Sequence, residues 1–152
     1  MNQENKHPVL GIDHGDARIG VAITDVVGIL AHPVMTIEVK EGDVIGQICK
    51  VIDERGAQRV VLGLPLRMDG SEGDAAEKVR AFGDDLLDSI SVPLEYQDER
   101  LTTMNAAAKL RQAGRNAKQQ KGMIDQAAAV EILNEWMTEN VDDVYPEEID
   151  FS

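Results

Sequence analysis

The hydrophobic period of this chain changes near residue 43, and that change limits the folds open to it. Upstream, apolar residues come in strand-length runs: Val9-Leu10-Gly11-Ile12-Asp13, then Ile19-Gly20-Val21-Ala22-Ile23-Thr24, then a third run from Ile29 to Val39. Gly15-Asp16-Ala17-Arg18 and Asp25 to Gly28 are turn-forming connectors, short enough for hairpins. Pro33 puts the third run at a sheet edge or a bulge, because proline has no N–H to give to a ladder. Downstream, Val44, Ile45, Ile48, Cys49, Val51 and Ile52 recur at helical spacing up to a stop at Gly56. Arg59 to Leu64 is again an apolar strand, and helices on both sides of it suggest parallel pairing. A loop over Pro65 to Gly73 leads into a helix through Ala76, Val79, Phe82, Leu86 and Leu87 that ends near Ser89. Val92 to Gln97 is a fifth strand, followed by helices over Thr102 to Ala113 and Gly122 to Met137. The order β-β-β-α-β-α-β-α-α predicts an α/β fold: a three-stranded antiparallel meander plus two parallel strands in one mixed sheet flanked by helices. Right-handed crossovers put the fourth strand beside the first and the fifth outside it.

Against that frame, three acids stand where charge is uncomfortable. Asp13 ends the first strand, Glu99 follows the fifth, and Asp125 opens the last helix. Positions 125, 128, 129, 132, 133 and 136 share one helix face, and they read Asp, Ala, Ala, Ile, Leu, Trp. Each acid has an ordinary explanation: Asp13 as a turn former, Glu99 in a capping loop, Asp125 as a first-turn acid on the helix dipole. Together they place like charges beside a core, which requires a positive partner, and a pair of divalent cations is the expected one. Asp98 and Glu99 alternate in direction, so only one can face the site. Oxygen ligands suit Mg²⁺ or Mn²⁺ better than zinc. His7, His14 and His32 lack metal-ligand spacing, and His14 should face away from Asp13's side. No Gly-Lys-Ser/Thr loop and no Ser/His/Asp or Cys/His set is present.

Charge bounds the partners. The net charge is −13, which argues against bulk polyanion binding. Leu101 to Ile124 nevertheless holds no acid and carries Lys109, Arg111, Arg115, Lys118 and Lys121, a local patch able to steer a phosphate backbone. Aromatics make up only 3% of the chain, so reading bases by stacking is not expected. Cys49 is the single cysteine and reads as a small buried hydrophobe. With no apolar run of membrane-spanning length and no signal-like N-terminus, a cytoplasmic setting is expected. Residues 1–7 read as a disordered lead, 8–138 as one domain, and 139–152 as an acidic tail.

Four ordered segments carry a family resemblance. Gly11-Ile12-Asp13-His14-Gly15 with Arg18-Ile19-Gly20-Val21-Ala22 resembles the opening motif of the YqgF/RuvX family, Holliday-junction-resolvase-like proteins of the ribonuclease H superfamily. Gly63 to Gly73 resembles its second motif, Asp98-Glu99-Arg100-Leu101-Thr102-Thr103 the third, and Asp125-Gln126-Ala127-Ala128-Ala129 with Ile132-Leu133 the fourth. The resemblance spans Val9 to Trp136 and implies a ribonuclease H-like fold. It implies that Asp13, Glu99 and Asp125 bind two Mg²⁺ or Mn²⁺ ions and cut a phosphodiester. The substrate would be structured RNA, such as pre-16S rRNA matured at its 5′ end in ribosomal precursor particles, or branched DNA at a junction. Arg18, Arg67 and Arg100 are the expected phosphate contacts, and Lys109, Arg111, Arg115 and Lys118 the hold on the flanking strand. A monomer or weak homodimer is expected, without membrane contact. Two rivals stand beside this reading. Sugar kinases and actin-type ATPases share the opening Gly-Ile-Asp-x-Gly but close two such domains around a nucleotide. A non-catalytic nucleic-acid-binding module of the same fold would need no acidic trio.

Overall fold

The protein is described here by a computed structural model covering residues 6–99 and 117–140. Its elements are β1 (Val9–His14), β2 (Arg18–Thr24), β3 (Ala31–Glu38), α1 (Val44–Arg55), β4 (Arg59–Leu64), α2 (Asp74–Leu87), β5 (Leu94–Asp98) and α3 (Ala117–Glu139). One five-stranded sheet runs β3-β2-β1-β4-β5. β1 pairs antiparallel with β2 and parallel with β4, and β5 adds parallel to β4. The expected meander and the two crossover strands are therefore both present.

Strand alternation sorts the sheet into two faces. Leu10, Ile12, Ile19, Val21, Val60 and Leu62 join a core with Ile48 of α1 and Val79 and Leu86 of α2. Val9, Ala22 and Val61 point the other way and pack with Ala129, Ile132, Leu133 and Trp136 of α3. Close approach of α3 depends on missing side chains. A Cβ on Gly11 would stand 2.5 Å from Leu133 Cγ, and one on Gly20 would fall into the Asp125 carbonyl. Buried Ala128 and Ala129 supply the matching flatness on the helix. The far end of α3 is pinned by Trp136, whose Nε1 donates to Glu95 Oε1 at 3.0 Å, while Arg59 pairs with the other Glu95 oxygen.

Several expected boundaries move, each for a local reason. β3 starts at Ala31 rather than Ile29, because the Asp25 carboxylate accepts from the amides of Ile29 and Leu30 and draws both into the turn. Pro33 does lie on an edge strand, and the register slips beside its partner Ala22. β5 begins at Leu94 and runs through Asp98; Pro93 has no N–H to give to a ladder, and its carbonyl accepts the Val60 amide that opens the pairing. α3 begins at Ala117, so Gly122 lies inside it rather than at its start. Cys49 is only partly buried, with Sγ 3.6 Å from the Ser89 carbonyl oxygen. The helix expected over Thr102 to Ala113 lies outside the described residues, as do residues 1–5 of the lead and the tail beyond 140.

Candidate active site at the carboxyl edge of the sheet

Asp13 and Glu99 come from strands that are not neighbours. β4 lies between β1 and β5, so their backbones are about two strand spacings, ~10 Å, apart. Ile12 stands level with Leu62, which puts Asp13 level with Gly63 on the middle strand. Glu99 just outlasts β5, its amide donating to the Leu64 carbonyl at 3.2 Å. The missing side chain at Gly63 lets the two carboxyl groups meet across the gap. A Cβ there would stand 2.7 Å from Glu99 Oε2 and 2.5 Å from Ile132 Cδ1. Glu95 and Gln97 reach α3 residues, so alternation sends Glu99 to that face and Asp98 to the opposite one. The choice between the two adjacent acids, open in the sequence, is thus made by β5.

The pair is buried and electrostatically strained. Glu99 is only 8% exposed, and its Oε2 has no hydrogen-bond partner among the described residues. Asp13 and Glu99 hydrogen-bond to each other, which requires a shared proton. Burial raises the Glu99 carboxyl to about 9, with the Asp13 charge adding to the shift. Burial also raises Asp13, to about 6; the bond from Glu99 opposes this and the Asp125 charge assists it. Two carboxyl groups are thus held side by side, and among the described residues no cationic side chain pairs with either of them.

Asp125 reaches the same patch through the helix. Its backbone lies on Gly20, and Gly20 is the cross-strand partner of Asp13. Its side chain accepts from Arg18 Nε at 3.1 Å. Burial raises the Asp125 pKa, Arg18 draws it back down, and Glu38 pushes it up. Among the described residues, no three His, Cys, Asp or Glu side chains stand together at the spacing of a single ion's shell. Asp13 and Glu99 converge; Asp125 sits adjacent, with its charge spent on Arg18. A divalent cation fits what is here: an all-oxygen donor pair and an orphaned buried Oε2.

The other expected residues divide. Arg18 is the partner of Asp125, and Arg67 is exposed, its guanidinium resting against Gly73. Arg100, Lys109, Arg111 and Arg115 lie outside the described residues; Lys118 is on α3, but its side chain is not described. His14 faces away from the pair, as expected, and packs on Phe82 with ring centroids 4.5 Å apart. Sequence reasoning missed a cleft of about 320 Å³ beside the pair, lined by Asp13 and Glu99 and also by Asp16, Ala75 and Lys78. The only sequence signal for it is a lysine one helical turn into α2, indistinguishable there from a solvated surface residue.

Comparison with known proteins identifies the family. The family described as "RuvX: Holliday junction resolvase" matches residues 7–139. A protein of Nocardioides sp. named "Putative pre-16S rRNA nuclease" is 45% identical over 92% of this chain and 94% of its own length. A protein of Cutibacterium acnes with the same name is 46% identical over 82% of this chain and 78% of its own. Among solved structures, Thermus thermophilus RuvC in complex with a Holliday junction substrate aligns with a TM-score of 0.53 at 16% identity, covering 86% of this chain and 94% of that one. At that identity the likeness concerns the fold, which is ribonuclease H-like. Among the described residues, no helix is long and apolar enough to cross a membrane.

Proposed function

From the premise that the chain belongs to the RuvX family of nucleases, we propose that it is a metal-dependent endonuclease acting on pre-16S rRNA. The observation that carries this reading is the buried Asp13–Glu99 pair, with Glu99 Oε2 unpartnered over Gly63. A fold does not keep such a pair for stability, because each charge there is costly without a cation. Asp13 and Glu99 would hold two Mg²⁺ or Mn²⁺ ions together with Asp125. When bound, those ions supply the positive charge that lowers the pKa of the attacking water and stabilises the departing oxygen.

The rest of the chemistry belongs to the chain. Asp13 is fixed by the β1 ladder and Glu99 by its amide bond to Leu64, so the ligands are held on strands rather than on a free loop. Arg18 orients Asp125 and balances its charge. The dry packing of Ile132 and Leu133 behind Gly63 and Gly11 keeps water from the rear of the site and raises the local field. Arg67 and Arg100 are assigned to substrate phosphates, with Lys109, Arg111, Arg115 and Lys118 on the flanking strand. A single site per chain suits the trimming of one RNA end by a monomer.

Junction cutting is the second reading, favoured by the family's own description, and it would need a two-fold partner for paired cuts. One panel decides among the possibilities. Ribosomal precursor, single-stranded RNA, duplex and four-way DNA junction are incubated with Mg²⁺, Mn²⁺ or chelator. Cleavage of precursor RNA in Mg²⁺ or Mn²⁺, lost in chelator and in Asp13→Asn, is expected. Junction cleavage with no RNA cleavage would transfer the assignment. Cleavage that survives chelator would remove the metal from the mechanism.

A further inference from the structure

Arg67 stands on a small hairpin of its own. Leu66 and Glu72 form a single antiparallel bridge. Inside it, the Arg67 amide donates to the Ser71 carbonyl at 2.9 Å and the Gly70 amide to the Arg67 carbonyl at 2.8 Å. Gly70 has φ +89°, so the turn is closed by a left-handed glycine. The hairpin follows Pro65, which lines the cleft together with Asp13 and Glu99. Among the described residues no carboxylate pairs with Arg67; its Nη1 is 3.5 Å from Ser71 Oγ. One bridge and one partly buried side chain, Leu66, tie this hairpin to the core. A ladder that short does not hold a position by itself.

Glu72 supplies the missing support. Its two oxygens accept from Arg80 Nε and Nη2, both at 2.7 Å, the two-pronged geometry in which a surface ion pair keeps its strength. Arg80 lies on α2, and its Cζ sits 4.8 Å from the centre of the Tyr96 ring on β5. Gly83 leaves room for the Tyr96 hydroxyl against α2. Three segments therefore meet at Arg80: the hairpin that bears Arg67, the helix, and the strand that delivers Glu99. The Arg80 charge is engaged by Glu72, so it is not itself set out for a phosphate.

We propose that Arg80 is a positioning residue for cleavage: with Glu72 and Tyr96 it fixes the Arg67 hairpin relative to β5, and so sets where a phosphate held by Arg67 lies with respect to the acids. The proposal rests on the nuclease reading above and on the assignment of Arg67 to substrate made there. Its physical basis is orientation, since a grip displaced by about 1 Å presents the reacting bond badly even when binding survives.

The test is a double-mutant cycle read by steady-state cleavage of precursor RNA and of the four-way junction in Mg²⁺. It compares the wild type with Arg67→Ala, Arg80→Ala and Glu72→Gln, and with the two double variants that contain Arg67→Ala. All three side chains are exposed, so each variant should fold, and circular dichroism checks this. Arg67→Ala is expected to lower kcat/KM by about ten- to a hundredfold, the loss of one charge-assisted contact. Arg80→Ala should lower it by about five- to tenfold, mostly in kcat, because the grip is kept but misplaced. Glu72→Gln should lower it by about three- to fivefold. That sign is diagnostic, since removing an acid from a chain of net charge −13 by itself favours a polyanion. In the Arg67→Ala background either change should have less than about a twofold further effect, because the group it positions is gone. Losses that add in the double variants, or Glu72→Gln cleaving as well as the wild type or better, overturn the positioning role while leaving the nuclease intact. So does an Arg67→Ala variant with wild-type kcat/KM. If the wild type cleaves neither substrate, the nuclease reading fails and takes the positioning role with it.

Discussion

Removing one negative charge from the candidate site should make the metal-free protein more stable. Asp13→Asn is the change to make. Burial has raised the Asp13 pKa from 3.8 to about 6, and at about 1.4 kcal/mol per unit its ionisation opposes folding by roughly 3 kcal/mol above pH 7. Asparagine keeps an oxygen to accept the Glu99 proton, and it lowers the repulsion that Glu99 feels. Some of the strain will relax in the wild type, so a net gain of about 1–3 kcal/mol is expected. For a chain of this size that corresponds to a rise in Tm of about 3–10 °C. The sign has a pH signature. Both folded pKa values lie above the unfolded ones, so the pair favours the fold when protonated, and that stability is lost as pH rises through about 6 for Asp13 and about 9 for Glu99. The difference in Tm between variant and wild type should therefore be small near pH 4, about half developed at pH 5, and level above about pH 7. Thermal melts followed by circular dichroism, in chelator, measure it. Adding Mn²⁺ or Mg²⁺ should stabilise the wild type and leave Asp13→Asn almost unmoved. A variant that melts at or below the wild type at pH 8 in chelator would refute the claim that these acids are held in a strained, cation-seeking pair.

Other perturbations probe the surroundings of that pair. Gly63→Ala puts a methyl group 2.7 Å from Glu99 Oε2 and against Ile132, and should cost about 1–3 kcal/mol of stability while abolishing metal-induced stabilisation by calorimetry. Gly20→Ala drives a methyl group into the Asp125 carbonyl and should lift α3 from β2; lost activity with a Tm falling by several degrees is expected, and an unchanged Tm would contradict the close packing. Arg18→Met removes the 3.1 Å bond to Asp125 and should destabilise the metal-free protein by about 1–2 kcal/mol, with Mn²⁺ recovering most of the loss in a melt.

Much of this architecture is written in local sequence. Alternation along 9–13 and 19–24 fixes which residues share a face, so Asp13 must join Gly11 and Val9 on the side opposite Leu10 and Ile12. The helical period through Asp125, Ala128, Ile132 and Trp136 puts one carboxylate on a buried stripe before any neighbour is known. The turn at Asp25 was less legible, because its carboxylate captures two amides that the apolar pattern alone gives to β3.

What alternation cannot do is choose partners across strands. Glu99 rather than Asp98 meets Asp13 because β5 docks on β4 with a glycine between them, a fact of register and of absent volume. Asp125 is matched by Arg18 over a separation of 107 residues, and Lys78 by Asp16 over 62. Local sequence carries periodicity, and so it determines faces and the residues that must be buried. Charge balance is a property of whatever the folded chain brings within a few ångströms, and only the tertiary structure decides that.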